Sequence, residues 1–199
     1  MSIYDPRPGD PPTNLRVLLT DTTRYSNAPR LAIELSKLGI TVSAICPERG
    51  HPIQKVHQVR QIIPYSSLRP LDLLLRAVKI SEPTIIVPFD ECAVQHLHEL
   101  YSSVRQLGKD GNNVAALIER SLSSPESYTI VSSRHALLQI ARQEGLRVPD
   151  TKLVRTVGEV KAWRQGQTLP CVLKADGTWG GRGVKTAHTV EQAENYFCN

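Results

Sequence analysis

The sequence has little of several features that would mark a particular class of protein. Only 5% of its 199 residues are aromatic, so stacking surfaces for nucleic-acid bases are scarce. No apolar run approaches the roughly 20 residues that cross a bilayer. The opening segment, 1–14, is polar and Pro-rich and lacks the apolar stretch of a signal peptide. We therefore predict a disordered tail over 1–14 and no contact with a membrane.

Metal-binding patterns are also missing. No two of the four cysteines have C-x-x-C spacing, and His96 and His98 are two residues apart, which on a helix turns them in different directions. The sequence thus predicts no metal site. Widely spaced single cysteines are typical of reduced thiols and indicate a cytoplasmic location.

What is present is ordinary globular composition, with 40% hydrophobic and 22% charged residues. The length allows one large domain or two small ones. A net charge of +5 favours anionic partners such as nucleotides, phosphates or nucleic acid, or it is simply a solvated surface.

Two segments with different patterns follow the tail. Residues 15–125 alternate short apolar strands with amphipathic helices, which predicts a small doubly wound parallel sheet. Strands are expected at 16–20, 41–45, 61–63 and 84–87, and helices at 28–38, 70–80 and 91–107. The stretch 108–124 is polar, and Gly111-Asn-Asn113 is interpreted as its hinge-like part. Residues 126–199 predict an α+β unit, with strands at 151–155, 171–175 and 184–187 and helices at 133–144, 157–163 and 189–197.

The strongest chemical signal lies between the last two predicted strands. Lys174 leaves an apolar strand, and four glycines follow within seven residues, together with a second cation; these are Gly177, Gly180, Gly181, Arg182 and Gly183. Glycine lets backbone N–H groups approach phosphate oxygens, so the loop suits a triphosphate. A plain Gly-rich hairpin with a surface lysine is the alternative. The P-loop and dinucleotide-binding patterns are both absent.

The stretch from Ser133 to Phe197 resembles the amino-terminal lobe of an ATP-grasp domain. A helix with a basic residue, Arg134, precedes a Gly-x-x-x-Pro segment that ends at Pro149. A Pro-x-x-x-Lys strand ending at Lys174 and the Gly-rich loop then follow in the family's order. Residues 15–107 resemble, by topology, the Rossmann-like domain that precedes such domains.

The resemblance implies an ADP-forming ligase that joins a carboxylate to an amine or a thiol through an acyl phosphate. It implies that Lys174, the loop glycines with Arg182, and Arg134 contact ATP; a solvated helix charge is the alternative for Arg134. Family members continue into a second lobe that holds magnesium. We therefore expect this chain to lack the C-terminal lobe, either as a fragment or as a truncated relative that binds without turnover. We also expect it to bind magnesium only together with that lobe and to be inactive alone.

Two further candidates follow predicted strands of the first segment. In open α/β sheets, ligands bind at the carboxyl ends of the parallel strands. The candidate substrate-binding residues at these positions are Asp21, Thr22, Asp90 and Glu91. An Asx-turn and helix capping are the alternatives, and capping is favoured for Asp90.

The expected partners are a nucleotide and a small-molecule carboxylate, with a homo-oligomer left open. A non-catalytic nucleotide-binding or protein-interaction module is the first rival function. A nucleic-acid-binding α/β protein is the second, supported only by charge.

Overall fold

The computed structural model describes residues 14–24, 27–106, 108–164, 169–175 and 183–198. The chain divides into two compact units, Met1–Pro125 and Glu126–Asn199. The first contains a four-stranded parallel sheet and the second a two-stranded antiparallel sheet. The α/β class predicted from the sequence is therefore confirmed.

Parallel strands and helices alternate through the first unit. The strands are β1 (Arg16–Thr20), β2 (Thr41–Pro47), β3 (Gln61–Tyr65) and β4 (Ile85–Pro88). The helices are α1 (Asn27–Lys37), α2 (Pro70–Ser81), α3 (Glu91–Val104) and α4 (Lys109–Leu122). The strand order is β3-β2-β1-β4, so the direction of winding reverses between β1 and β4.

Side-chain alternation along β1 distributes the core over both faces of this sheet. Leu18 is fully buried in a cluster that includes Leu74 of α2, Leu97 of α3 and Ile118 of α4. Val17 and Leu19 point the other way, into a cluster with two alanines of α1. Helices therefore cover both faces, which is the doubly wound arrangement that the sequence predicted.

The interpretation of Gly111-Asn-Asn113 as the hinge-like part of 108–124 was wrong. This stretch forms helix α4, and Val114, Ala115, Leu117 and Ile118 are buried in the core on the α2–α3 face of the sheet. Their helical spacing buries enough apolar surface to outweigh the weak helix propensity of Gly111, Asn112 and Asn113.

The second unit is built around a hairpin. Its elements are α5 (Tyr128–Val131), α6 (Arg134–Gln143), α7 (Val157–Arg164), β5 (Cys171–Lys174), β6 (Val184–Ala187) and α8 (Val190–Cys198). A small core joins α7, β5, β6 and α8, and in it Val160, Cys171, Ala187 and Ala193 are buried. The hairpin is thereby anchored on helices α7 and α8.

The strand predicted at 151–155 is not formed. The Thr151 hydroxyl donates to the Pro149 carbonyl, and the Arg155 N–H donates to the Glu159 carboxylate at 2.6 Å. These local bonds satisfy polar groups that a strand would pair with a neighbour. Among the described residues, no helix is long and apolar enough to span a membrane.

Candidate functional site

The base of the Gly-rich loop is fixed by the β5–β6 hairpin. Lys174 is the last residue of β5, is exposed, and stands opposite Val184 in the antiparallel register. The next pair closes the loop, since the Ala175 N–H donates to the Gly183 carbonyl at 2.9 Å. Gly183 has φ +69°, a conformation that favours glycine. The two ends of the loop are thus held together directly beyond Lys174.

A second cation reaches this base from helix α6. Ser133 caps the helix by accepting the Ala136 N–H, which places Arg134 in the first helical position. The Arg134 guanidinium then donates to the Ala175 carbonyl at 2.7 Å, across 41 residues of sequence. The structure therefore brings Arg134 next to the residue that follows Lys174. Of the other candidates in the loop, Gly177, Gly180, Gly181 and Arg182 lie outside the described residues.

In the first unit, the candidates at the carboxyl ends of β1 and β4 are joined to each other. Asp90 accepts the Thr22 N–H at 2.6 Å and the Thr22 hydroxyl at 2.8 Å. It also accepts the Ala93 N–H at 2.8 Å, which confirms it as the N-cap of α3. The crevice where the winding of the sheet reverses is thus bridged by the protein's own hydrogen bonds. Glu91 is exposed on the first turn of α3.

Asp21 is turned inward and pairs with a residue that the sequence analysis missed. One carboxylate oxygen accepts the N–H and the hydroxyl of Thr23, which confirms the Asx-turn. The other lies 2.9 Å from Nε2 of His51, and both side chains are almost fully buried. His51 Nδ1 accepts the Ile53 N–H, so the hydrogen on Nε2 is donated to Asp21. This pair ties the loop after β1 to the loop after β2.

His51 could have been found from the rule that selected Asp21, because it follows β2 at the same edge of the sheet. The environment here also affects a thiol. Burial, and then the charge of Asp21, raise the pKa of Cys46 to about 11, although a hydrogen bond from Gln54 acts in the opposite direction. Cys46 is therefore a protonated, buried thiol at physiological pH.

No protein-family model matches the sequence, and no curated protein shows significant sequence similarity to it. Solved structures do match. The biotin carboxylase domain dimer of 2-oxoglutarate carboxylase from Hydrogenobacter thermophilus, in complex with MgADP, ADP and bicarbonate, has 18% identity and a TM-score of 0.61. The match covers 92% of this chain and 40% of that one.

N5-carboxyaminoimidazole synthetase from Staphylococcus aureus, complexed with ADP, matches with 13% identity, a TM-score of 0.65, and coverage of 93% and 44%. L-amino acid ligase from Bacillus licheniformis matches with 14% identity, a TM-score of 0.63, and coverage of 93% and 42%. All three are ATP-grasp enzymes.

The chain has the fold of the amino-terminal portion of ATP-grasp enzymes. The fold that the resemblance implied is thereby confirmed. The chain spans about two fifths of the length of the solved chains that it matches. At these identities the likeness establishes the fold alone, so the activity of the ATP-grasp neighbours is not transferred with it.

Proposed function

We propose that this chain is the nucleotide-binding front portion of an ADP-forming ligase that joins a carboxylate to an amine or a thiol. The proposal is based on the geometry at the base of the Gly-rich loop. There Lys174 is exposed, and the carbonyl of the next residue, Ala175, accepts a hydrogen bond from Arg134. In the proposed reaction ATP phosphorylates the carboxylate and ADP leaves. The amine or thiol then attacks the acyl phosphate and displaces phosphate.

In this proposal each cation has a separate task. Lys174 screens the negative charge of the phosphates, because it is exposed at the end of a strand that the β6 pairing fixes. Arg134 fixes the first carbonyl beyond Lys174, so it limits the positions from which the lysine can reach a ligand. The Hydrogenobacter biotin carboxylase domain was solved with MgADP and bicarbonate bound, so a neighbour with this fold binds a nucleotide and a small anion, which supports the proposal.

The described residues provide candidate contacts for ATP but do not provide a set of ligands for magnesium. None of their His, Cys, Asp and Glu side chains form a group of three or more that could hold a metal ion. A bound metal ion would supply charge neutralisation in phosphoryl transfer. The described side chains are therefore given no metal-binding role in the proposed reaction.

Titration calorimetry with ATP tests the nucleotide site. Replacing Lys174 with Ala should weaken ATP binding by about 1 to 3 kcal/mol, because a charge-assisted hydrogen bond is lost. Arg134→Ala should also weaken binding, through the loosened base of the loop. The matched control is Lys185→Ala. Lys185 is exposed on the neighbouring strand, and its ammonium lies 5.8 Å from the ring centre of Tyr196.

If Lys174→Ala and Lys185→Ala bind ATP with equal affinity at equal salt, the assignment of Lys174 fails. A coupled ADP-release assay with carboxylates, amines and thiols then separates ligase from binding module. ADP release that requires both substrates and is lost in Lys174→Ala supports the ligase. If ATP binds but no combination of carboxylate with amine or thiol causes ADP release, the non-catalytic module is supported.

A further inference from the structure

A second cluster of reactive side chains lies in the first unit, apart from the nucleotide loop. Cys92, on the first turn of α3, is half-buried, and its sulfur lies 3.7 Å from Nε2 and 3.8 Å from Nδ1 of His96. The two residues are four apart, so one helix face carries both. A ring nitrogen is therefore within reach of the thiol proton in either tautomer of the imidazole.

Tyr65 brings a third polar group from the end of β3. Its ring centre lies 6.1 Å from that of His96. Burial, followed by the charge and hydrogen bond of Cys92 and the charge of Asp90, raises the pKa of Tyr65 to about 12. The phenol therefore keeps its proton at physiological pH.

A buried hydroxyl without a partner lies on the same face of the sheet. Thr20, the last residue of β1, is 1% exposed, and its Oγ1 makes no hydrogen bond within the described part of the chain. Strand alternation places Thr20 on the face that carries Leu18, and Tyr65 packs against the core on that face. A buried hydroxyl normally finds a partner, so Thr20 is an unsatisfied polar group on the face of the sheet that α3 covers.

The acidic groups nearby do not cancel this arrangement. Asp90 and Glu91 precede Cys92, and negative charge beside a thiol disfavours the thiolate. Asp90 accepts three hydrogen bonds, two from Thr22 and one from the Ala93 N–H, so its oxygens are already occupied by donors of the protein. Glu91 is exposed and screened by water.

We propose that Cys92 is a peroxide-reactive cysteine, with His96 as the base that takes its proton and a hydroperoxide as the oxidant. The thiolate sulfur attacks one peroxide oxygen, so an S–O bond forms as the O–O bond breaks. Sulfur is oxidised by two electrons to the sulfenic acid, and the peroxide is reduced. The leaving hydroxide, or alkoxide, takes a proton from the imidazolium and departs as water or an alcohol.

The protein supplies its own matched controls for this assignment. Cys46 is buried, and its raised pKa keeps it protonated, while Cys171 is buried in the core of the second unit. Neither should react with peroxide in the folded chain, because reaction requires an accessible thiolate. The inference does not rest on the proposed ligase function.

The test treats the intact chain with hydrogen peroxide, traps sulfenic acid with a cyclic 1,3-dione, and measures each cysteine peptide by mass spectrometry. Cys92 should be labelled at least about tenfold faster than Cys46 and Cys171, and faster than Cys92 itself in urea-unfolded protein. His96→Gln should slow labelling of Cys92 by about tenfold, with circular dichroism unchanged.

The comparison with unfolded protein separates activation from mere exposure. If Cys92 reacts no faster in the folded chain than in urea, the proposal is overturned, whatever the variant shows. If folded His96→Gln reacts at the native rate, the role of His96 is refuted. Should His96→Gln fail to fold, Tyr65→Phe provides the second variant, and slower labelling of Cys92 is again the result that supports the site.

Discussion

The buried pair of Asp21 and His51 should contribute substantially to the stability of the first unit. The His51 side chain is fully buried, donates to Asp21 from Nε2 at 2.9 Å, and accepts the Ile53 N–H at Nδ1. Replacing His51 with Ala removes a hydrogen bond to a carboxylate, worth about 1.5 to 3 kcal/mol. It also leaves the Ile53 N–H unsatisfied at about 1 to 3 kcal/mol. We expect a loss of about 3 to 5 kcal/mol, the range for breaking a buried pair.

Urea unfolding can follow the two units separately. Both tryptophans, Trp163 and Trp179, belong to the second unit, whereas far-UV circular dichroism reports on both units. His51→Ala should move the dichroism transition to lower urea and leave the fluorescence transition in place. The control is His57→Ala in the same unit, where the side chain is exposed and the change should stay within about 0.5 kcal/mol.

A double-mutant cycle with Asp21→Ala measures the pair itself. Because the two side chains touch, their coupling should exceed about 1 kcal/mol. A loss below about 1 kcal/mol for His51→Ala, or additive effects in the cycle, would show that the buried pair does not stabilise the first unit.

Two shorter predictions concern the ends of elements in the two units. Asp90→Ala should cost the first unit about 1 to 3 kcal/mol in urea unfolding, because a helix cap and the bonds to Thr22 are lost together. Asp90→Asn, which can still cap, should lose less, and equal losses would contradict the capping argument. In the second unit, trypsin should cut after Arg182, because the surrounding sequence contains four glycines, and ATP should slow the cut. Cleavage unaffected by ATP would count against nucleotide binding by the loop.

Local signals predicted much of the fold and some of the candidate site. Pro70 at the start of α2, Asp90 before α3 and Ser133 before α6 each mark a helix start through chemistry that acts within three residues. Lys174 stands out because the apolar strand and the glycines flank it directly. The sequence analysis also interpreted Asp90 correctly as a cap.

Interactions between distant residues could not be predicted in this way. Arg134 reaches Ala175 across 41 positions, and Asp21 reaches His51 across 30. Helix α4 was missed for the same reason, since the apolar residues that stabilise it do so against α3 and β4, beyond the Gly111-Asn-Asn113 segment that suggested a hinge. Such contacts depend on the packed sheet and on which strand ends lie side by side.

The two candidate regions differ in the kind of hydrogen-bonding capacity that they offer to a ligand. At the sheet edge of the first unit, Asp21 and Asp90 each accept three bonds from the protein itself, so a cationic or hydroxyl-bearing substrate would have to displace existing donors. The free energy lost with these hydrogen bonds is larger than the free energy gained from a new solvent-exposed contact. In the second unit, Lys174 is an exposed donor at the base of the loop, and a polyanion is the ligand that such a donor suits. The described residues therefore support nucleotide binding at the hairpin more strongly than substrate binding by the two aspartates.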